Sequence, residues 1–323
     1  MPVKILRCIF IFSALLGTFR VFSDTFPMYS ALMVSDPPVI DGILDEECWK
    51  NAEKTAPFVA IGGKPAKTST TGMLCWDEKI LYIAFVCEEP EMDVIENRIK
   101  TGQIKDFDQS IEVFIDSNYD RSSYIQLRLG ITGMRESRNG AELAPEIQEG
   151  WSAAIRRYAD RWTVEMGVPF RLLGGIPPGP DVIWGLNLNG SRGVDLETDG
   201  LFWSGWTCWS DTKGPFAAPG RFGRLIFADY SLWLRYRYTV LTGNLIQEVA
   251  DMLMRYPLAG RPFMQELCAI DRMWTDFLMK LADAGSNPSV THDVLSSAGD
   301  RVVAAYEDFL SRMRLAVIET EFH

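Results

Sequence analysis

The sequence predicts a mainly β protein, an antiparallel β-sandwich of the jelly-roll or immunoglobulin-like kind, followed by a C-terminal three-helix region. Three observations predict it. Short runs rich in Val, Ile, Tyr, Phe and Trp recur between Gly, Pro, Asn and Asp until near residue 230. Beyond that point the punctuation thins and apolar residues recur at spacings of three and four. No alternation of strands with helices occurs, and neither GxGxxG nor GxxxxGK[ST] is present, so a nucleotide-binding parallel sheet is excluded.

The chain starts with a targeting pattern. Lys4 and Arg7 precede an apolar run from Cys8 to Phe19, and Val21 and Ser23 stand three and one residues before a cut ahead of Asp24. These are the three parts of a secretory signal peptide over residues 1–23, and the run is shorter than the roughly 18 to 20 residues that span a bilayer. A secreted, periplasmic or cell-envelope location is therefore expected, without a membrane span in the mature protein.

The candidate strands follow in order: Thr71–Trp76, Ile80–Cys87, Ser110–Asp116, Tyr124–Ile131, Trp151–Tyr158, Trp162–Val168, Ile183–Asn189 and Gly223–Phe227. Asp77-Glu78-Lys79 turns the first pair into a hairpin. The sandwich is expected to occupy residues 24–229 and the helices residues 230–323. Leu245, Val249, Met252 and Leu253 form one apolar stripe, Leu267, Ile270, Trp274 and Phe277 a second, and Val294, Val302, Ala305 and Phe309 contribute to a third. Breaks are predicted at Pro257–Pro262 and at Gly285–Pro288. Such helices would pack as a bundle and carry association with a partner chain or a second copy; alternatively they cover an apolar face of the sandwich.

Composition excludes several functions. A net charge of -11 gives no footprint for nucleic acid. The two histidines, His292 and His323, lie in the last tenth of the chain, which argues against histidine-based catalysis, zinc clusters and a haem-holding electron-transfer sandwich. Once Cys8 is removed, Cys48, Cys75, Cys87, Cys208 and Cys268 are too few and too scattered for a disulfide framework.

Alternation places the polar side chains. In Ser110–Asp116 the residues Ile111, Val113 and Ile115 point one way and Glu112, Phe114 and Asp116 the other; in the next strand Ile125, Leu127 and Leu129 oppose Tyr124, Gln126 and Arg128. A sheet face of Glu, Tyr, Gln and Arg beside tryptophans suits a sugar, whose hydroxyls pair with charged groups while its C–H face lies on an indole. An ordinary solvated face with cross-strand pairs accounts for the same two strands. The segment from Leu201 to Trp209 holds Trp203, Trp206 and Trp209 among glycines, and the three cannot all turn inward.

Six blocks in order resemble carbohydrate-binding module family 9: Pro38 to Ala52, with Ile40-Asp41-Gly42 and Trp49; Leu81 to Phe85; Asp108 to Asp116; Trp162 to Phe170; Trp184-Gly185-Leu186-Asn187 with Arg192; and Trp209-Ser210 with Phe222 to Phe227. The resemblance covers about residues 36–228. It implies a sugar-binding β-sandwich, often a module of extracellular glycan-degrading proteins, with tryptophans clamping a sugar ring and calcium in some members. Carried onto this chain, it implies Trp209 as the stacking residue, with Trp206 and Trp203 nearby. Glu112, Gln126 and Arg98 or Arg192 would be hydrogen-bonding partners and Trp76 a second aromatic wall.

The expected function is non-catalytic carbohydrate binding linked to glycan breakdown or capture. A glycoside hydrolase pairing Glu112 with Glu165 or Asp116 is an alternative, as is a structural envelope protein whose sandwich has lost its ligand. Asp116, Asn118 and Asp120 place oxygens at alternate positions, a spacing compatible with calcium, though an ordinary Asx turn needs the same residues and is the favoured reading.

Overall fold

The computed structural model describes residues 26–175, 178–179, 182–193, 205–228, 230–256, 263–283 and 292–321. Among them the strands are β1 (Met28–Ser30), β2 (Leu32–Met33), β3 (Val59–Ala60), β4 (Lys64–Pro65), β5 (Thr70–Trp76), β6 (Ile80–Glu88), β7 (Ser110–Asp116), β8 (Ile125–Gly130), β9 (Arg135–Asn139), β10 (Glu142–Leu143), β11 (Ser152–Arg157), β12 (Arg161–Pro169), β13 (Ile183–Ser191), β14 (Trp206–Cys208) and β15 (Gly223–Ile226). The helices are α1 (Glu47–Asn51), α2 (Met92–Lys100), α3 (Pro145–Gln148), α4 (Tyr230–Arg255), α5 (Met264–Asp283) and α6 (His292–Glu321). The eight expected strands are present with ends within two residues of those expected. The predicted helix breaks, the signal segment and Trp203 lie outside the described residues.

Ten strands form one sheet, in the order β10-β9-β8-β7-β13-β14-β3-β4, with β15 on β13 and β1 on β15; β11-β12-β6-β5-β2 form the other. Pairing is antiparallel except for β1 on β15 and β2 on β5, which are parallel. The exception has a local cause. One extended segment runs from the large sheet into the small one through Ala31, which is fully buried between them. Tyr29 anchors the crossing: the Leu74 amide donates to its hydroxyl at 2.8 Å.

The alternation read from the sequence sets the core. Ile111, Val113, Ile115, Leu127 and Leu129 of the large sheet meet Leu81, Ile83, Phe85, Val164, Met166 and Val168 of the small one. The outward residues of β12 include Glu165, which faces a second cluster of Trp49, Cys48, Met73, Cys75 and Tyr82 beneath α1. Gly42 lies on that side with φ +86, and a Cβ there would stand 2.8 Å from the Arg156 amide nitrogen, so the turn requires glycine.

The helices build their own cluster around Tyr238, Val249, Ile270, Phe277, Val302, Tyr306 and Phe309. Val294 departs from the expected stripe and is 41% exposed. Helical periodicity alone did not fix the face of that first turn, which lies at the start of α6. The cluster continues across residue 229 into the sandwich, taking in Ile226 and Ala228, with Met28 and Ile183 packed against it.

Candidate functional site

Register brings one polar row together on the outer face of the large sheet. Asn189 of β13 pairs with Glu112 of β7, Glu112 with Arg128 of β8, and Arg128 with Glu136 of β9. The neighbouring row runs from Asn187 through Phe114 and Gln126 to Arg138. The inward positions of β7, β8 and β13 are apolar, which leaves their polar side chains the outer face, and register carries Glu136 and Arg138 of the polar strand β9 to the same side.

The row is tightly bonded. Gln126 Nε2 donates to Glu112 Oε2 at 2.6 Å and Arg128 Nε to Glu112 Oε1 at 3.1 Å. Arg128 Nη1 reaches Glu136 Oε1 at 3.2 Å, and Arg138 Nε reaches the same oxygen at 2.8 Å. Burial pushes the Glu112 carboxyl above its ordinary range, with Arg128 and Gln126 pulling the other way. At Glu136 burial also pushes upward, but the hydrogen bonds from Arg138 and Arg128 outweigh it and hold the carboxyl below its ordinary value. Asn189 is fully buried, and neither amide atom has a partner among the described residues. A buried unpaired amide is uncommon and costly.

Aromatic rings flank the row. The Arg128 guanidinium lies 4.1 Å from the centroid of the Phe107 ring. On the other side Phe114, Phe216, Phe222 and Cys208 form a buried cluster with Tyr124 and Trp206 against it. Trp206 stacks on Phe216 with centroids 4.5 Å apart and planes 27° apart. Trp206 also borders a pocket of about 360 Å³ at the strand ends, shared with Gln109, Ser110, Ser191, Thr207 and Trp162. The Trp162 Nε1 has no partner among the described residues.

The structure brings Glu112, Gln126 and Trp206 to this face and separates the others from it. Trp209 is 7% exposed and belongs to the core between the sheets, edge-on to Tyr29 with centroids 6.5 Å apart. A Cβ on Gly223 would sit 2.6 Å from its ring, so the indole has no free face to offer a sugar. The parity that sends Trp206 outward sends Trp209 inward. Trp76 lies on the small sheet, its Nε1 bonded to the Ala31 carbonyl at 3.0 Å and its ring edge-on to Phe170 and Phe227.

Arg192 is buried in an ion pair: Nε and Nη2 reach the two Glu89 oxygens at 2.9 and 2.7 Å, and Nη2 also reaches Glu91. It closes the sandwich end away from the polar row and lines the pocket that Trp206 borders. Arg98 sits half-buried on α2, a helix whose Met92 and Ile95 plug the core. Arg128, expected on the polar face, completes it together with Glu136, Arg138, Phe107 and Phe216, which were not expected there. The signal for Arg128 was its parity with Gln126. Polar β9 carried no apolar alternation, and Phe107 and Phe216 are single aromatics in loops.

The oxygens of the alternating Asp116, Asn118 and Asp120 are engaged in a turn. Asp116 accepts from the Asp120 amide at 3.3 Å and the Arg121 amide at 2.8 Å, and Asp120 Oδ1 from the Ser122 and Ser123 amides at 2.8 and 2.7 Å. Asn118 Nδ2 and Ser123 Oγ fill Asp120 Oδ2. These oxygens serve a turn, and among the described residues no group of three or more His, Cys, Asp or Glu side chains is placed to hold a metal ion. The hydrolase pairs do not assemble either. Glu165 faces the outside of the small sheet and Glu112 the outside of the large one, with the core between them. Glu112 and Asp116 share a face four residues apart, roughly 13 Å at about 3.3 Å per residue, beyond the usual carboxylate spacing.

The family described as Carbohydrate family 9 binding domain-like matches residues 40–229, more than half of the chain. The chain belongs to this family. All four strands of the polar row lie within the matched segment. Among curated proteins, the chain is 27% identical over 190 residues to endo-1,4-beta-xylanase A of Thermoanaerobacterium saccharolyticum, covering 57% of this chain and 15% of that protein. It is 26% identical over 195 residues to exoglucanase XynX of Acetivibrio thermocellus, covering 58% and 17%. The chain thus spans less than a fifth of the length of these relatives. Among solved structures, a family 9 carbohydrate binding module from Caldicellulosiruptor kristjanssonii in complex with cellotriose aligns with a TM-score of 0.47 and 18% identity, covering 62% of this chain and 93% of that one. Among the described residues no helix is long and apolar enough to cross a membrane.

Proposed function

We propose that the chain is a non-catalytic carbohydrate-binding protein of the cell exterior, and that the outer face of the large sheet holds the sugar. The observation that carries this reading is the row Asn189–Glu112–Arg128–Glu136, set between Phe107 and the Trp206–Phe216 stack inside a family 9 domain. Carboxylate, guanidinium and carboxamide groups offer acceptors and donors in one plane, which suits vicinal hydroxyls, and Trp206 offers an indole for the C–H face. The 27% and 26% identical segments of a xylanase and an exoglucanase support β-1,4-linked xylan or glucan oligosaccharides as the ligand class.

One observation favours a second reading, a structural envelope protein with a degenerate site. Glu112, Arg128 and Glu136 already satisfy one another. Calorimetric titration of the full chain with xylo- and cello-oligosaccharides separates the two: saturable heat with the parent protein that is lost in Arg128→Ala supports the sugar site. No heat across both series supports the degenerate sandwich.

A further inference from the structure

Five cysteines lie within the described residues, and two of them meet. Cys48 stands on α1 and Cys75 on β5, both in the cluster on the outer side of the small sheet, and helix and strand are in contact. The two thiols are close enough that each shifts the ionisation of the other. Both also line one groove of about 280 Å³, shared with Leu32, Met33, Glu47 and Asn51. The other cysteines have no such neighbour. Cys87 points into the core on the opposite face of the same sheet, Cys208 lies under the large sheet's outer face, and Cys268 is exposed on α5.

We propose that Cys48 and Cys75 are the site of an intramolecular disulfide, formed by exchange with a small-molecule disulfide such as oxidised glutathione. Cys48 is the entry thiol. It is 8% exposed against 1% for Cys75, so it is the thiol that a small-molecule disulfide reaches first. Cys48 Sγ attacks one sulfur of the glutathione disulfide, forming a mixed disulfide and releasing one glutathione. Cys75 then loses its proton and attacks Cys48 Sγ, expelling the second glutathione. Two protein thiols are oxidised and one disulfide is reduced to two thiols, so electrons and protons balance. Burial raises both thiols above their ordinary value, so the exchange is slow and depends on pH. The bond would tie α1 to β5 across the segment that carries β3 and β4, constraining the unfolded chain and raising stability.

The full chain is equilibrated in mixtures of reduced and oxidised glutathione, quenched with an alkylating reagent in denaturant, and mapped by peptide mass spectrometry with and without reduction. The expected map contains a Cys48–Cys75 linked peptide with Cys87 and Cys208 alkylated, and the cross-linked protein melts at a higher temperature than the reduced form. Cys48→Ser should remove the linked peptide and leave Cys75 alkylated, while Cys87→Ser should retain the link. Recovery of Cys48 and Cys75 both alkylated under the most oxidising mixture overturns the proposal. So does Cys48 held as a lasting glutathione adduct beside a free Cys75. If Cys48→Ser fails to fold, the map of the parent chain decides alone.

Discussion

Trp49 Nε1 donates to Glu165 Oε1 at 2.7 Å, while the other oxygen of the same carboxylate takes the amides of Asp41 and Gly42 at 2.9 and 2.7 Å. One buried carboxylate therefore holds the opening turn and the first helix against the small sheet. Two blocks of the family resemblance, more than a hundred residues apart, are two ends of one hydrogen-bonded contact. Their role is structural: Glu165 is fully buried and its three bonds go to the opening turn and the first helix.

Removing the indole donor tests this contact. Trp49→Phe keeps most of the apolar volume and deletes one hydrogen bond to a charged acceptor, so unfolding free energy should fall by about 1.5 to 3 kcal/mol. Glu165→Gln should cost at least as much, since its NH2 must face one of three N–H donors. Urea denaturation of the two variants checks both, and sugar titration should be unaffected in any fraction that remains folded.

The same site sets a pH dependence. Burial raises the Glu165 carboxyl, outweighing the bonds from Trp49, Gly42 and Asp41, and burial likewise raises Glu112. A folded-state value above the unfolded one means that the native protein binds the proton more tightly. Stability from these two groups is complete below the unfolded value of about 4.3 and declines as pH rises through the folded values. Melting temperatures measured upward from pH 4 should show this decline in the parent and a flatter profile in Glu165→Gln.

At the sugar face, Arg128→Ala should abolish binding and Trp206→Ala should weaken it by about 1 to 3 kcal/mol, the range for losing a ring stacked on an aromatic side chain. Trp209→Ala should act differently. Its loss empties part of the core and costs about 3 to 5 kcal/mol of stability. Calorimetric titration beside thermal melts distinguishes the classes: a well-folded Trp209→Ala that alone loses binding would move the site back to that residue.

Parity made much of this legible. The inward set from Ile111 to Val168 and the outward Glu112, Gln126 and Arg128 follow from a period of two, and those strands formed as read. Residues whose place depends on loops or end caps were not legible. Opposite parity separates Trp206 from Trp209, but which of the two turns inward is not given by parity alone, and the Trp209 ring packs on Gly223 and Tyr29, distant in sequence. Arg192 has the chemistry of a ligand residue, but its partner Glu89 is 103 positions away. Strands β1 and β2 are too short to show alternation, and only the sheets they join give them meaning.

Chelation should leave the molecule unchanged. The oxygens of Asp116 and Asp120 are bonded to backbone amides and neighbouring side chains, which hold the turn by hydrogen bonds alone. Melting curves with and without excess chelator should superimpose, and a drop in chelator that calcium restores would establish a structural ion.

The last prediction concerns residues 24–229 expressed without the helices. Ile226 is fully buried, and it belongs to the helical cluster, not to the core between the sheets. Ala228 belongs there too, with Met28 and Ile183 against it, and its carbonyl accepts from Ser30 Oγ. Cutting the chain at 229 would expose this apolar edge on β15 and β1, which carries the crossing of the N-terminal segment between the sheets. Uncovering one isoleucine and parts of two further apolar side chains costs on the order of 3 kcal/mol. The truncated protein should therefore melt well below the full chain, and the full chain should unfold in one cooperative transition, because sandwich and helices share buried surface. Equal melting temperatures, or two separate transitions in the full chain, would instead make the helices an independent element available for docking to a partner or a second copy.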